Sequence, residues 1–244
     1  MNKNIDVQIL GLSFTQCKTN DILSRFKISI LNHKKLTIMP FDFRHLFYAD
    51  QLTALNQNAD LLIYPDSSGI FFLLKTFYRK QFRDFQRLVS TNIHYKMMDA
   101  MNVCKAKLFL LGDTEETLGK FISKINSTYS NIQVAGKLDG FGNYTTEKII
   151  NEIVKQKPDV VMIGMGVPRQ EITLINIKDH IGNTILVTVG AFFSFYSGVV
   201  PRAPELFQKY YIEWLYRLYR EPKRLAARYF IMFPKVVFKL IKNR

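Results

Sequence analysis

Seven short runs of apolar and β-branched residues, at 7–10, 36–38, 61–64, 107–111, 132–135, 160–165 and 185–189, alternate with segments of helical spacing through most of this chain. That alternation constrains the fold more than any other feature, because strand–helix–strand units close most readily as parallel crossovers. Several of the runs are continuously apolar, as in strands covered on both faces. Helix signals punctuate them. Asp113 with Glu116 has capping-box spacing after the run ending near Gly112. Thr145-Thr146-Glu147 opens another helix, with a stripe of Ile149, Ile150, Ile153 and Val154, and Lys157-Pro158 stops it. The expected fold is α/β, an open and mostly parallel sheet flanked by helices, with ligands bound at the carboxyl ends of the strands.

After Gly198 the texture changes. Residues 204–220, PELFQKYYIEWLYRLYR, are crowded with aromatics and arginines; Glu221-Pro222 interrupts them, KRLAARYFIMF follows, and Pro234 leads into KVVFKLIKNR. A boundary near 198–203 gives an α/β core over 1–200 and a helical basic appendage over 201–244. Charge follows the same division. The chain carries 34 Lys and Arg against 20 Asp and Glu, a net +14, and its last 44 residues hold eleven against three, +8 of that total. Such a surplus attracts anions: nucleic acid, acidic lipid or phosphate-rich substrates. With 48% hydrophobic residues the chain buries a real core, which excludes wholesale disorder. It has no run of about 18 apolar residues, so no spanning helix is expected. The start, MNKNIDVQILGLSF, carries no export signal. The cytoplasm is the simplest compartment, and Cys17 and Cys104, without metal or disulfide spacing, are expected as reduced thiols.

Three loops at expected strand ends can carry chemistry. In VVMIGMGVPRQE a strand runs into Gly164 and Gly166, then Arg169-Gln170-Glu171. A dinucleotide fingerprint needs a third glycine where Arg169 stands and an acid at the end of the next strand, and both are missing. Two glycines still allow close backbone approach, and the following helix start favours anions; the alternative is a solvated loop. In YPDSSG, Asp66 stands one residue past a buried strand, either as a general base or as an Asx turn or helix cap. Thr37 orients a substrate hydroxyl or is simply a β-branched strand residue. TVGAFFSFYSG opens from a strand into Gly190 and aromatics, a cover for a sugar or base or else a core plug. His33, His45, His94 and His180 fit no ligand spacing, and Asp-x-Asp does not occur, so neither metal nor cofactor is expected.

In the appendage, Arg217, Arg220, Arg224 and Arg228 recur at intervals of three, four and four, split by Pro222 into two helices. Arginine forks suit phosphate oxygens and can stabilise a departing diphosphate; the plain alternative is a solvated basic face. Tyr210, Tyr211, Trp214, Tyr216, Tyr219, Tyr229 and Phe230 interleave with them, the pattern of a basic helix lying on an anionic membrane surface.

Taken together, YPDSSG, RLVSTNI, LFLLGDTEET, PDVVMIGMGVPRQE, TVGAFFSFYSG, PRAPELF and EWLYRLYREPKRLAARY resemble the WecG/TagA/CpsF family of bacterial glycosyltransferases, over roughly residues 5–230. The resemblance implies a Rossmann-like, metal-independent, inverting transferase without a cofactor. It implies transfer of a hexose or N-acetylhexosamine from a UDP-sugar to an undecaprenyl-diphosphate-linked saccharide, in exopolysaccharide, capsule or teichoic acid synthesis. Its implied place is the cytoplasmic face of the cell membrane, held peripherally. By the same resemblance Asp66 is the base and Thr37 contacts substrate. Gln170 and Glu171, with Gly164, Gly166 and Gly190, hold the donor. Arg202, Arg217, Arg224 and Arg228 form a cationic lid over the diphosphate. The family commonly has Asp-Gly at Asp66-Ser67, Thr-x-Asn at Thr37-Ile38-Met39, Gly-x-Asp at Ser90-Thr91-Asn92 and Phe-Asp-Phe at Phe193-Ser194-Phe195. These departures leave the donor sugar open, N-acetylmannosamine being the familiar one. Two other classes stay in view, a nucleic-acid-binding protein and an inactive family member acting as a scaffold. The first lacks any helix-turn-helix, RNP-like or zinc pattern, and no nucleic-acid partner is expected. Oligomeric state, a homo-oligomer included, is left open.

Overall fold

A computed structural model of the chain describes residues 6–15, 17–57, 60–82, 88–210 and 212–243; Arg87 and Tyr211 of the stretches quoted above lie outside the described residues. The chain opens with an antiparallel hairpin, β1 (Asp6–Ile9) and β2 (Leu12–Thr15), then α1 (Thr19–Leu31). Strand β3 (Leu36–Phe41) leads through the short helices α2 (Phe43–Phe47) and α3 (Ala49–Leu52) and a 3₁₀ turn to β4 (Leu61–Pro65) and α4 (Ser68–Phe77). Next come α5 (Ser90–Cys104), β5 (Lys107–Gly112), α6 (Glu115–Thr128), β6 (Gln133–Leu138), α7 (Thr146–Gln156), β7 (Val160–Gly164), α8 (Arg169–Ile177), β8 (Ile185–Thr188) and α9 (Phe192–Ser197). The tail is α10 (Glu205–Lys209), α11 (Glu213–Arg220), α12 (Pro222–Ala227), a π-helical turn (Arg228–Met232) and α13 (Phe233–Lys242).

Strands β3 to β8 form one parallel sheet in the order β4-β3-β8-β7-β5-β6. Their continuous apolar runs are explained by burial on both faces. On one face, Ile22 and Phe26 of α1, Met97 and Met101 of α5 and Phe121 of α6 pack on Ile38, Leu62, Leu110 and Met162. On the other, the hairpin, α2, α7, α8 and α13 cover Met39, Phe41, Ile63, Phe109 and Val161. Because all six strands run the same way, every loop that sequence reasoning selected emerges along one edge of the sheet.

Four local expectations change. The run at 7–10 is half of a hairpin: Leu10 and Gly11, both at positive φ, make its two-residue turn, and Leu12 and Phe14 return buried into the core. A leucine at positive φ is a weak turn signal, which hides the second strand. Helix α6 is capped by Thr114, whose Oγ1 accepts from Thr117 N–H at 3.1 Å, not by Asp113, which stands one residue earlier at φ 52°. Strand β3 runs three residues past Ile38, through Pro40. It pairs with β8 only as far as Ile38, so the N–H missing at Pro40 leaves no gap in that ladder.

The fourth change is in the tail. Pro234 does not break the helix, since the wider π turn just before it relieves the clash a proline ring makes with the carbonyl four residues back. The last helix therefore continues and buries Val236 and Leu240 in the same cluster as the sheet. Each such side chain contributes about 1.5–3 kcal/mol on burial, so the end of the tail is anchored on the core. Among the described residues no helix is long and apolar enough to cross a membrane.

Candidate active site

At the carboxyl ends of β3, β4 and β8 lies a cavity of about 520 Å³, closed on its open side by the tail. Asp42, Asp66, Gln170 and Gly190 line it from the core, and Arg202, Trp214, Arg217, Arg228 and Tyr229 from the tail. A carboxylate and several guanidiniums thus face one crevice, although 162 residues of chain separate Asp66 from Arg228.

Asp66 follows β4 and is held by its neighbours. Its carboxylate accepts from the Ser90 N–H at 3.1 Å and from the Ser90 hydroxyl at 2.7 Å, at the first residue of α5. It touches no cation among the described residues. Burial pushes its pKa up, the Ser90 hydrogen bonds work against that, and nearby Asp42 adds to the rise. The residue is neither cap nor Asx turn. The cap of α4 is Ser67, whose Oγ accepts from Ile70 N–H at 3.5 Å while its backbone sits at φ 84°, ψ 153°.

Asp42 is the carboxylate that sequence reasoning missed. It ends β3 and caps α2, accepting from Arg44 N–H at 2.8 Å. Arg44 also grips it through Nε (2.9 Å) and Nη2 (2.6 Å), and Arg228 reaches it from the tail through Nη2 at 3.0 Å. Burial alone would raise its pKa; the two guanidiniums overcome this and hold it well below the usual carboxylate range. The signal available was Asp42 just before a helix start, Asp-Phe-Arg-His, at a strand end three residues beyond the expected one at Ile38.

The tail arginines divide into two kinds. Arg217 and Arg228 point inward, Arg217 over the Phe195 ring at 5.2 Å and Arg228 over Phe43 and Tyr229 at 5.6 Å each. The Nε of each is buried and has no hydrogen-bond partner among the described residues. Burial lowers both pKa values, that of Arg228 to about 10. Arg202 lines the cavity while bonded to Asn92 Oδ1 at 2.9 Å. Arg224 does not join them: it is exposed and paired with Glu221 at 2.5 Å.

The glycine loops are held from beneath. Gln170 Oε1 accepts from both Gly166 N–H and Gly190 N–H at 3.2 Å, and its Nε2 donates to Glu171 Oε1 at 2.6 Å. Glu171 is fully buried and also takes His45 Nε2 at 3.1 Å. Both ends of the Gln170 amide and the Oε1 of Glu171 thus bind protein, while Glu171 Oε2 is buried without a hydrogen-bond partner among the described residues. Gly166 and Gly190 sit at positive φ, but Gly164 serves packing, since a Cβ there would lie 2.7 Å from the Phe193 ring. Thr37 lies elsewhere, fully buried near the start of β3 and paired in register with Leu61, away from the cavity lining. Among the described residues no three of His, Cys, Asp or Glu gather to hold a metal ion.

The rim is aromatic. Phe72 and Phe230 line the cavity yet are 63% and 70% exposed, and Tyr219, Phe238 and Ile241 are further exposed apolar side chains on the tail.

The sequence matches the family model described as Glycosyl transferase WecG/TagA/CpsF family over residues 7–244. It is 29% identical to an N-acetylglucosaminyldiphosphoundecaprenol N-acetyl-beta-D-mannosaminyltransferase of Bacillus subtilis (strain 168), over 80% of this chain and 72% of that protein. Proteins of the same name show 24% identity in Bacillus spizizenii, over 95% and 89% of the two chains, and 26% in Staphylococcus aureus (strain MW2), over 98% and 93%.

Proposed function

The chain belongs to the WecG/TagA/CpsF family and is a glycosyltransferase, and from that premise we propose that it moves a hexose or N-acetylhexosamine from a UDP-sugar to an undecaprenyl-diphosphate-linked saccharide in cell-surface polysaccharide synthesis. The relatives' names supply the acceptor class. One observation carries the reading: Asp66, Arg217 and Arg228 line the same cavity, and the Nε of each arginine has no hydrogen-bond partner among the described residues.

The proposed reaction is a single displacement. Asp66 takes the proton of an acceptor hydroxyl as that oxygen attacks the anomeric carbon. The bond from that carbon to the donor's diphosphate oxygen breaks, its electron pair leaves with UDP, and the configuration inverts. A raised carboxyl pKa suits a base working near neutral pH. Arg217 and Arg228 meet the charge that develops on the leaving diphosphate, acting in a site shielded from water where such charges are worth most. On this reading the guanidiniums do the work that a divalent ion does in other transferases. The exposed aromatic and basic face of the tail seats the protein on an anionic membrane, where a polyprenyl acceptor resides.

The test is UDP release from a panel of UDP-sugars with a short-chain polyprenyl-diphosphate saccharide, with EDTA present and the product read by mass. Acceptor-dependent release with one donor, undiminished by chelator, is the expected result. No release with any hexose or N-acetylhexosamine donor overturns the substrate assignment, and loss of activity to EDTA overturns the metal-free mechanism.

A further inference from the structure

We propose that Asp42 and His45 are positioning residues, through which a buried hydrogen-bond relay ties the seat of Arg228 in the tail to the backbone of the two glycine loops. The inference rests on the reading of the cavity as a transferase site and deepens it.

The links are continuous. Arg228 Nη2 donates to Asp42 Oδ2 at 3.0 Å. The Asp42 N lies 3.0 Å from His45 Nδ1, and His45 Nε2 meets Glu171 Oε1 at 3.1 Å. Glu171 Oε1 also accepts from Gln170 Nε2 at 2.6 Å, and Gln170 Oε1 accepts from Gly166 and Gly190 N–H. Asp42, His45, Gln170 and Glu171 are all buried, with no more than 7% exposure. Water therefore cannot easily substitute for a lost partner, and each bond fixes the geometry of the next.

The arrangement has a direction that packing alone does not require. His45 Nδ1 lies 3.0 Å from the Asp42 N and 3.2 Å from the Asp42 carbonyl oxygen. Burial opposes a charge on the ring, but Glu171 and Asp42 raise its pKa to about 9, so Nε2 carries a proton and donates it to Glu171. Glu171 Oε1 in turn accepts from the Gln170 amide, which leaves Gln170 Oε1 facing the two glycine amides. A reversed Gln170 amide would set its NH₂ against those N–H groups. Arg44 already grips Asp42, so Arg228 reaches an oriented carboxylate and keeps its Nε free. Disturbing one end of the relay is expected to be felt at the other.

Amide exchange of Gly166 and Gly190, followed by NMR in the free protein without donor or acceptor, tests this. Arg228→Ala is expected to speed exchange at both glycines by roughly tenfold or more, the scale of a lost buried partner. His45→Leu is expected to do the same, and Arg228→Ala added to it to change nothing further. His45→Gln, which keeps a donor for Glu171, is expected to restore much of the protection. Lys239→Ala removes an exposed tail–core ion pair, Lys239–Asp50 at 3.0 Å, and is expected to leave both amides unchanged. Unchanged exchange in Arg228→Ala overturns the relay, whether or not the His45 variants fold; equal acceleration in Lys239→Ala also overturns it, by showing general loosening of the tail. Since no turnover is measured, failure here is distinct from failure of the substrate assignment.

Discussion

Asp42 and Asp66 occupy matching places, each one residue beyond a paired position at the ends of neighbouring strands, since Phe41 is in register with Pro65. Both line the same cavity, yet they are held in opposite states. Asp42 sits between Arg44 and Arg228 and is driven toward ionisation. Burial raises the pKa of Asp66 against the two donors of Ser90, with no cation touching it among the described residues and Asp42 nearby adding to the rise. Two like carboxyl groups whose surroundings push them apart are the mark of divided roles. Asp42 is a fixed charge that seats arginines; Asp66, in the proposed mechanism, is the group that exchanges a proton.

The two alanine variants should therefore fail in different ways. Asp66→Ala is expected to cut turnover by ~10²–10⁴-fold, the usual worth of a positioned base, with the fold intact. Near wild-type turnover would remove Asp66 from its role. Asp42→Ala leaves two partly buried guanidiniums without their carboxylate and is expected to lower unfolding free energy by up to about 3 kcal/mol, read in urea. The pH dependence of stability separates them again. For Asp42, whose folded pKa is depressed, the contribution is present above the ordinary carboxyl value of 3.8 and is lost as pH falls through the lower folded value. For Asp66, whose folded pKa is raised, the favourable part is present below 3.8 and is lost as pH rises through the folded value. Removing the Asp66 carboxyl should thus spare or raise stability at neutral pH, where removing that of Asp42 lowers it.

Ser90 sharpens the contrast more gently. The family resemblance puts glycine at this position, and a glycine has no hydroxyl to offer Asp66. Ser90→Gly keeps the backbone donor but loses the 2.7 Å bond, so ionised Asp66 is less well supported. The acidic limb of kcat/KM is expected to move to higher pH by about one unit or less, one hydrogen bond's worth of differential stabilisation. A limb that moves to lower pH, or not at all, would detach Ser90 from the base.

Much of this was legible in the sequence, and the exceptions share a cause. The strand runs at 107–111, 160–165 and 185–189 fall on β5, β7 and β8 because a strand buried on both faces leaves an unbroken apolar signature. The loops at Asp66, Gly166 and Gly190 follow, since a parallel sheet sends its carboxyl ends to one edge. Residue spacing does not say which way a side chain turns. Gln170 and Glu171 stand at a helix start, where polar groups commonly meet a ligand, but the loop geometry directs them inward onto Gly166, Gly190 and His45. Thr37 is near the end of the expected run at 36–38, but β3 continues past it to Phe41, paired beyond Ile38 with β4 alone. Arg224 keeps the interval of its neighbours, yet Pro222 resets the helix axis and leaves it facing Glu221 and solvent. His45 fitted no metal spacing, which is correct as chemistry but silent about a relay.

Ser67 carries the smallest expected effect and bears on the same pair of strand ends. At φ 84°, ψ 153° its backbone occupies a region that is nearly glycine's alone. No corresponding strain arises at Asp42, which follows its strand in extended conformation at φ −117°, ψ 177°. The β4 end is thus the strained one, and the strain lies beside the base. The family's usual glycine adopts this conformation freely, whereas a serine there costs on the order of 1–3 kcal/mol. Ser67 recovers part of that by capping α4 through a long 3.5 Å hydrogen bond to Ile70 N–H, and glycine at a cap position gives up only a few tenths of a kcal/mol. Ser67→Gly is therefore expected to stabilise the protein by about 1 kcal/mol in urea unfolding. If the strained turn also sets the aim of Asp66, the relaxed variant will lose turnover while gaining stability; equal turnover would show that Ser90 alone holds the base in place.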